Sequence, residues 1–213
     1  LKLDNKKILF LGELSKSEDN NFEFNLKKYN RDFVEKNFKI NDNNLKIKSS
    51  KSVNFILNKD QKTLEIIAKN DDWIVIYDSL INDLKISVSY SEENLSKVNH
   101  KKDRFNNYFL TGCLNIINSK FIKSEIEVKN AKCEDAVNIV KSKGDVSLVS
   151  ITNSKFDGLD VDFSEIDIYQ LNVKSSGNDC SDFSFGKHKI DFVNLSKCGD
   201  KGVSVGEKTF ASI

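Results

Sequence analysis

The stretch Asp157-Gly158-Leu159-Asp160-Val161-Asp162-Phe163-Ser164 decides the fold, because its pattern returns at a fixed interval. Asp135-Ala136-Val137-Asn138-Ile139-Val140 stands 22 residues before it, and Asp179-Cys180-Ser181-Asp182-Phe183-Ser184 stands 22 residues after it. Lys201-Gly202-Val203-Ser204-Val205 follows at the next step. In these copies a polar residue (Asn138, Asp160, Asp182, Ser204) lies between two positions that are mostly apolar. That order is the period-2 signature of a strand with one buried face. Upstream, Leu114-Asn115-Ile116 joins the series with one spacing of 23. A second set keeps the same step: Val146, Ile168 and Ile190, then Val149, Leu171 and Val193, then Ile151, Val173 and Leu195. Each period therefore supplies at least two strands.

A repeat of this length without helical heptads predicts a solenoid. The consensus of a leucine-rich repeat is absent. The pattern predicts an all-β chain folded as a parallel β-helix, with coils of about 22 residues. Hydrogen bonds then run between coils at ~4.8 Å, and inward side chains stack on their equivalents into one core. Ala136, Gly158, Cys180 and Gly202 recur at one position, where a tight corner needs little bulk. The column Asp135, Asp157 and Asp179 is expected to cap backbone N–H groups at the turns, and Lys201, next in line, to pair with Asp179.

Outward from the repeat the pattern loosens. Residues 45–89 hold short alternating runs such as Leu64-Glu65-Ile66-Ile67 and Trp73-Ile74-Val75-Ile76-Tyr77, separated by turn-like polar clusters. We assign 45–213 to the β-helix and 1–44 to an N-terminal cap with irregular β structure, since an open β-stack needs its end covered. Ile8-Leu9-Phe10-Leu11-Gly12 reads as a strand of that cap. Residues 90–109 are polar and read as a long excursion, solvated or functional. Trp73 is expected as a core or end-cap residue, with a sugar-stacking platform as the alternative. Thr209 to Ile213 stands where another coil would begin, so further coils or a capping partner are expected there. The chain contains no Met, which suits a processed or partial chain.

Composition excludes more than it selects. A net charge of +1 supplies no global attraction to nucleic acid or membrane. Residues 145–213 are acidic, with 11 Asp or Glu against 7 Lys. Arg31 and Arg104 are the only arginines, a thin supply for bidentate clamps on phosphate or carboxylate. No run approaches the ~18 apolar residues of a membrane helix. Cys113, Cys133, Cys180 and Cys198 lack zinc spacing. Small buried thiols are the simplest reading, and disulfides the alternative for an exported chain.

The segments from Cys133 to Val140, Asp157 to Ser164, Gly177 to Ser184 and Gly199 to Glu207 resemble successive coils of bacterial right-handed parallel β-helix proteins of the pectate-lyase-like superfold. The resemblance covers about residues 110–210. It implies an extracellular or cell-surface setting. It does not select an activity, because that superfold hosts lyases, hydrolases, epimerases and adhesins. The Gly-His-Gly and Arg-Ile-Lys segments of its polygalacturonase-type hydrolases do not occur here. Lyases of the superfold often hold calcium on acids of an exposed face. Here Asp160 and Asp162 point outward from one strand, and Asp182 stacks over Asp160 at ~4.8 Å. Such carboxylates should bind a cation, pair with Lys, or raise a pKa, and calcium is the cation that suits an oxygen set. Asn138, Lys187 and Lys201 are the candidate substrate-binding residues beside them. The alternative is a solvated Asn/Asp ladder. No catalytic residue and no cofactor-binding residue can be assigned. His188, in Gly186-Lys187-His188-Lys189, is expected at a surface turn. The functional expectation is a non-catalytic scaffold or binding module within a larger protein, with polysaccharide as ligand. The alternative is a polysaccharide lyase or glycoside hydrolase working on the acidic face.

Overall fold

The computed structural model describes residues 15–16, 22–23, 33–40, 43–91 and 104–213. In chain order its strands are β1 (Ser15–Lys16), β2 (Phe22–Glu23), β3 (Phe33–Ile40), β4 (Asn43–Ser50), β5 (Asn54–Asn58), β6 (Thr63–Ala68), β7 (Ile74–Tyr77), β8 (Leu80–Asn82) and β9 (Lys85–Tyr90). They continue as β10 (Gly112–Ile117), β11 (Lys120–Lys129), β12 (Asp135–Val140), β13 (Lys143–Ser154), β14 (Asp157–Ser176), β15 (Ser181–Cys198), β16 (Val203–Val205) and β17 (Thr209–Ser212). The described residues contain no helix.

Three parallel columns of strands wind into a β-solenoid of about six turns. The first column stacks β7, β10, β12, the starts of β14 and β15, and β16. The second stacks β8, the starts of β11 and β13, the middles of β14 and β15, and β17. The third stacks β6, β9 and the ends of β11, β13, β14 and β15. Each coil thus contributes three strands. The register is the one the repeat predicts: Leu114, Val137, Leu159, Ser181 and Val203 lie over one another. Inward side chains, among them Ile116, Ile139, Val161 and Phe183, form one core along the axis.

Hydrogen bonding at the corners explains why the coil repeats. Between the first and second columns one residue per coil turns the chain in the left-handed region: Asp78, Asn118, Lys141, Phe163, Phe185 and Lys208, with φ of 45–57°. Ser79, Ser119, Ser142 and Ser164 follow the first four of these. Each hydroxyl donates to the carbonyl two residues back, at 2.7–3.0 Å. Each also accepts the backbone N–H of the serine one coil earlier, or of Lys46 in the case of Ser79, at 2.9–3.2 Å. The buried polar atoms of this corner are therefore satisfied by a side-chain ladder. Gly186 breaks the ladder at the next coil, where a Cβ would lie 2.0 Å from the Ser164 carbonyl oxygen.

The corner between the third column and the next coil uses the same device. Asn130, Asn153, Ser175 and Lys197 have φ of 57–64°, and Asn153 Nδ2 donates to Asn130 Oδ1 at 3.2 Å. The cysteines are not free thiols. Cys113 bonds Cys133 and Cys180 bonds Cys198, with Cα atoms 5.3 and 5.2 Å apart. Each pair joins the first-column end of a coil to its third-column end, so each closes one turn of the solenoid. The coil brings together residues that are 20 and 18 apart in sequence.

Parallel stacking starts with β6 and β7. Strand β4, inside the segment expected to coil, lies antiparallel on β7 and carries β3, while β5 lies antiparallel on β6. These hairpins cover the first edges of two columns. Ile8–Gly12 lies outside the described residues. On the outer side of the first column, Trp73, Val75, Tyr77 and Leu110 form a second apolar cluster with Phe33 and Tyr108. Trp73 is 4% exposed and lies 4.5 Å from the Tyr108 ring, so it is a core residue and not a sugar platform.

Candidate functional site

The outward positions of the first column form the acidic face. Asn115, Asn138, Asp160, Asp182 and Ser204 occupy one row across five coils, and Val140, Asp162 and Ser184 the next row. Alternation in the strand sets their direction, and the 22-residue register sets their stacking. Asn115 turns back onto the backbone and bonds Gly112 and Ile74. Asn138 is buried, and its Nδ2 reaches Asp160 Oδ2 at 3.2 Å and Asp135 Oδ2 at 3.4 Å. Its amide thus bridges two carboxylates. Asp182 Oδ1 has no hydrogen-bond partner.

Asp135, Asp160 and Asp162 hold their protons unusually well. Burial, then the nearby Asp157 and Glu134, push Asp135 up to about 7, against a hydrogen bond from Thr111. Burial first, and Asp135, Asp162 and Asp182 next, raise Asp160 well above the usual carboxylate range. Burial and Asp182 push Asp162 up to about 6. Removal from water disfavours the charged form, and each neighbouring carboxylate adds repulsion. Arg104 opposes this rise at Asp135, Asp160 and Asp162. It stands at the edge of the face, with Nε 3.4 Å from Glu134 Oε1. It belongs to the polar excursion, of which residues 104–109 are described. Only the folding of that segment onto the first column brings Arg104 here. The sequence signal was merely a rare Arg in a long loop.

The structure brings Asn138, Asp160, Asp162 and Asp182 together and separates them from the two lysines. Lys187 projects from the second column, in register with Glu165 and Phe210. Lys201 lies at the start of a first-column strand, where Nζ is 2.8 Å from Asp200 and 3.4 Å from Asp179. The capping expectation for the Asp column holds: Asp157 Oδ1 accepts the Asp179 N–H, and Asp179 Oδ1 accepts the Lys201 N–H, both at 2.8 Å. Among the described residues no three His, Cys, Asp or Glu side chains converge as a metal-binding group. Calcium would have to draw the ladder acids toward one another.

His188 corrects the surface-turn expectation. It sits inside the solenoid, between Ile166 and Ala211 in the second column, and is 4% exposed. Its ring packs 5.0 Å from Phe183, and neither nitrogen makes a well-formed hydrogen bond, the Ile166 backbone being its weak polar neighbour. Burial lowers its pKa. The turn comes one step earlier, at Phe185 and Gly186, so strand parity aims His188 inward. Comparison with protein-family models, curated proteins and solved structures finds no match to this chain.

Proposed function

We propose that this chain is a non-catalytic β-solenoid binding module for polysaccharide and that the acidic face is its binding surface. The observation that carries this reading is the row Asn138, Asp160 and Asp182, flanked by Asp162 and edged by Arg104. A row of oxygen acceptors one coil apart suits the repeated hydroxyls of a glycan laid along the axis. The two disulfides support folding in an oxidising compartment outside the cytosol. A right-handed coil is the sense that parallel crossovers nearly always adopt.

The test is a calorimetric titration with neutral and uronate oligosaccharides, with and without calcium, on the wild type and on Asp160→Ala/Asp182→Ala. Saturable binding that the double variant loses supports the reading. If the double variant binds as the wild type does, the face is not the site. Calcium heat lost in the same variant assigns the cation to these acids.

One observation favours a catalytic reading. Asp135 and Asp162 are pushed toward neutrality beside Asp160, itself raised well above the usual carboxylate range, and such a carboxyl can act as a general acid. Glycoside cleavage abolished in Asp160→Asn, with binding retained, would select it.

A further inference from the structure

A groove of about 410 Å³ runs along the corner between the first and second columns. Asn118, Lys120, Lys141, Lys143, Phe163 and Glu165 are among its lining residues. Its volume falls within the range of small-ligand sites, ~300–1,000 Å³. Two neighbouring lysines set its lower chemistry. Lys120 and Lys143 are in register on adjacent coils, ~4.8 Å apart along the axis, and both are exposed. Neither makes an ion pair with a described residue. Lysines at this spacing can both reach one oxyanion, which accepts from each.

The upper end has a different chemistry. Phe163 stacks on Phe185 with centroids 4.6 Å apart and planes 10° from parallel. Phe163 lines the groove and Phe185 does not. Phe163 has a φ of 50° and Phe185 one of 57°, a conformation that suits Asn far better than an aromatic residue. Glu165 continues the column of Lys120 and Lys143, so a second anion is repelled at this end while a hydroxyl donor is welcome.

We propose that this groove binds a hydroxylated ring carrying one oxyanion, such as a sugar phosphate or a sulfated sugar. The oxyanion lies on Lys120 and Lys143, the ring lies against Phe163, and a ring hydroxyl donates to Glu165. This site uses none of the side chains of the acidic face.

Calorimetry on the whole chain tests it with glucose 6-phosphate and galactose 6-sulfate, against glucose and inorganic phosphate. At least one charged sugar should saturate, and glucose and inorganic phosphate should bind at least tenfold more weakly. The two charged arms decide between phosphate and sulfate. Lys120→Gln/Lys143→Gln should weaken binding at least tenfold, and Phe163→Asn severalfold. Phe163→Asn relieves the left-handed strain, so its unfolding midpoint should not fall. Asp160→Ala/Asp182→Ala should leave this binding unchanged. No saturation by either charged sugar, equal affinity for inorganic phosphate, or wild-type binding in the lysine double variant would each overturn the proposal.

Discussion

Single residues carry this fold where the chain turns. Ser175 has a φ of 64° directly above Asn153, in the column where Asn153 already donates to Asn130. Asn tolerates this conformation and can extend the amide ladder. Ser175→Asn should therefore stabilise the chain by about 0.5–1 kcal/mol, the net worth of one added hydrogen bond. A urea midpoint that fails to rise would count against the ladder as a stabilising element. His188 presents the opposite case, a buried ring whose nitrogens make no well-formed hydrogen bond. Leaving a buried polar group unpaired costs about 1–3 kcal/mol, so His188→Phe should raise stability by about 1 kcal/mol after its own packing strain. Its depressed pKa also works against the fold in acid. The unfolded chain takes up the proton more readily, so stability falls as pH drops through the unfolded pKa of about 6.5. His188→Phe should remove that acid limb in unfolding curves taken from pH 7 to pH 5.

Whole strands and coils depend on closure. Each disulfide ties the two ends of one coil, and a closed loop of this size stabilises by about 3 kcal/mol through the unfolded chain. Cys180→Ser/Cys198→Ser should lower stability by about that amount and loosen β15–β17 first. Hydrogen exchange resolved by segment checks this: uniform loss of protection from Ala68 to Ser212 would sink the local account. On the first column, the rows of acids set a pH dependence of the opposite sign to that of His188. The native state holds protons on Asp135, Asp160 and Asp162 that the unfolded chain releases above about pH 4. Their contribution is therefore most favourable below that point and is lost as pH rises toward 7. Asp160→Asn should match the wild type below about pH 4 and exceed it in urea resistance at pH 8. A gap that stays constant across this range would show that Asp160 is not protonated in the fold.

At the scale of the molecule, three columns give three outer surfaces of different character. The first is acidic on its later coils, and its early coils are covered by the Trp73 cluster. The second carries Lys120, Lys143 and Lys187 in one column with Glu165 among them. The third meets the second at a corner where Tyr169 and Phe192 stand exposed, edge to face at 5.2 Å. A solenoid separates these surfaces because each coil contributes one short strand to each, and equivalent residues then line up along the axis. Binding that involves several coils should follow one face. Double variants in one column should therefore couple, whereas Asp160→Ala and Lys143→Gln should add independently in any binding titration.

The sequence by itself determined the coil. Leu114, Val137, Leu159, Ser181 and Val203 repeat at a constant step, and strand alternation turns that step into a stacking register without further information. It also determined the outward row Asn138, Asp160 and Asp182 and the backbone capping by Asp157 and Asp179, since both follow from parity and local turn chemistry. Tertiary structure decided whatever depends on distance across a coil or on where a corner falls. Cys113 and Cys133 meet only because one turn returns the chain to its start. Arg104 reaches the acids only because an irregular segment folds back onto the first column. His188 faces inward because the turn at Phe185 shifts parity by one residue. A repeat encodes relations between equivalent positions, whereas contacts between inequivalent positions exist only once the coil has closed.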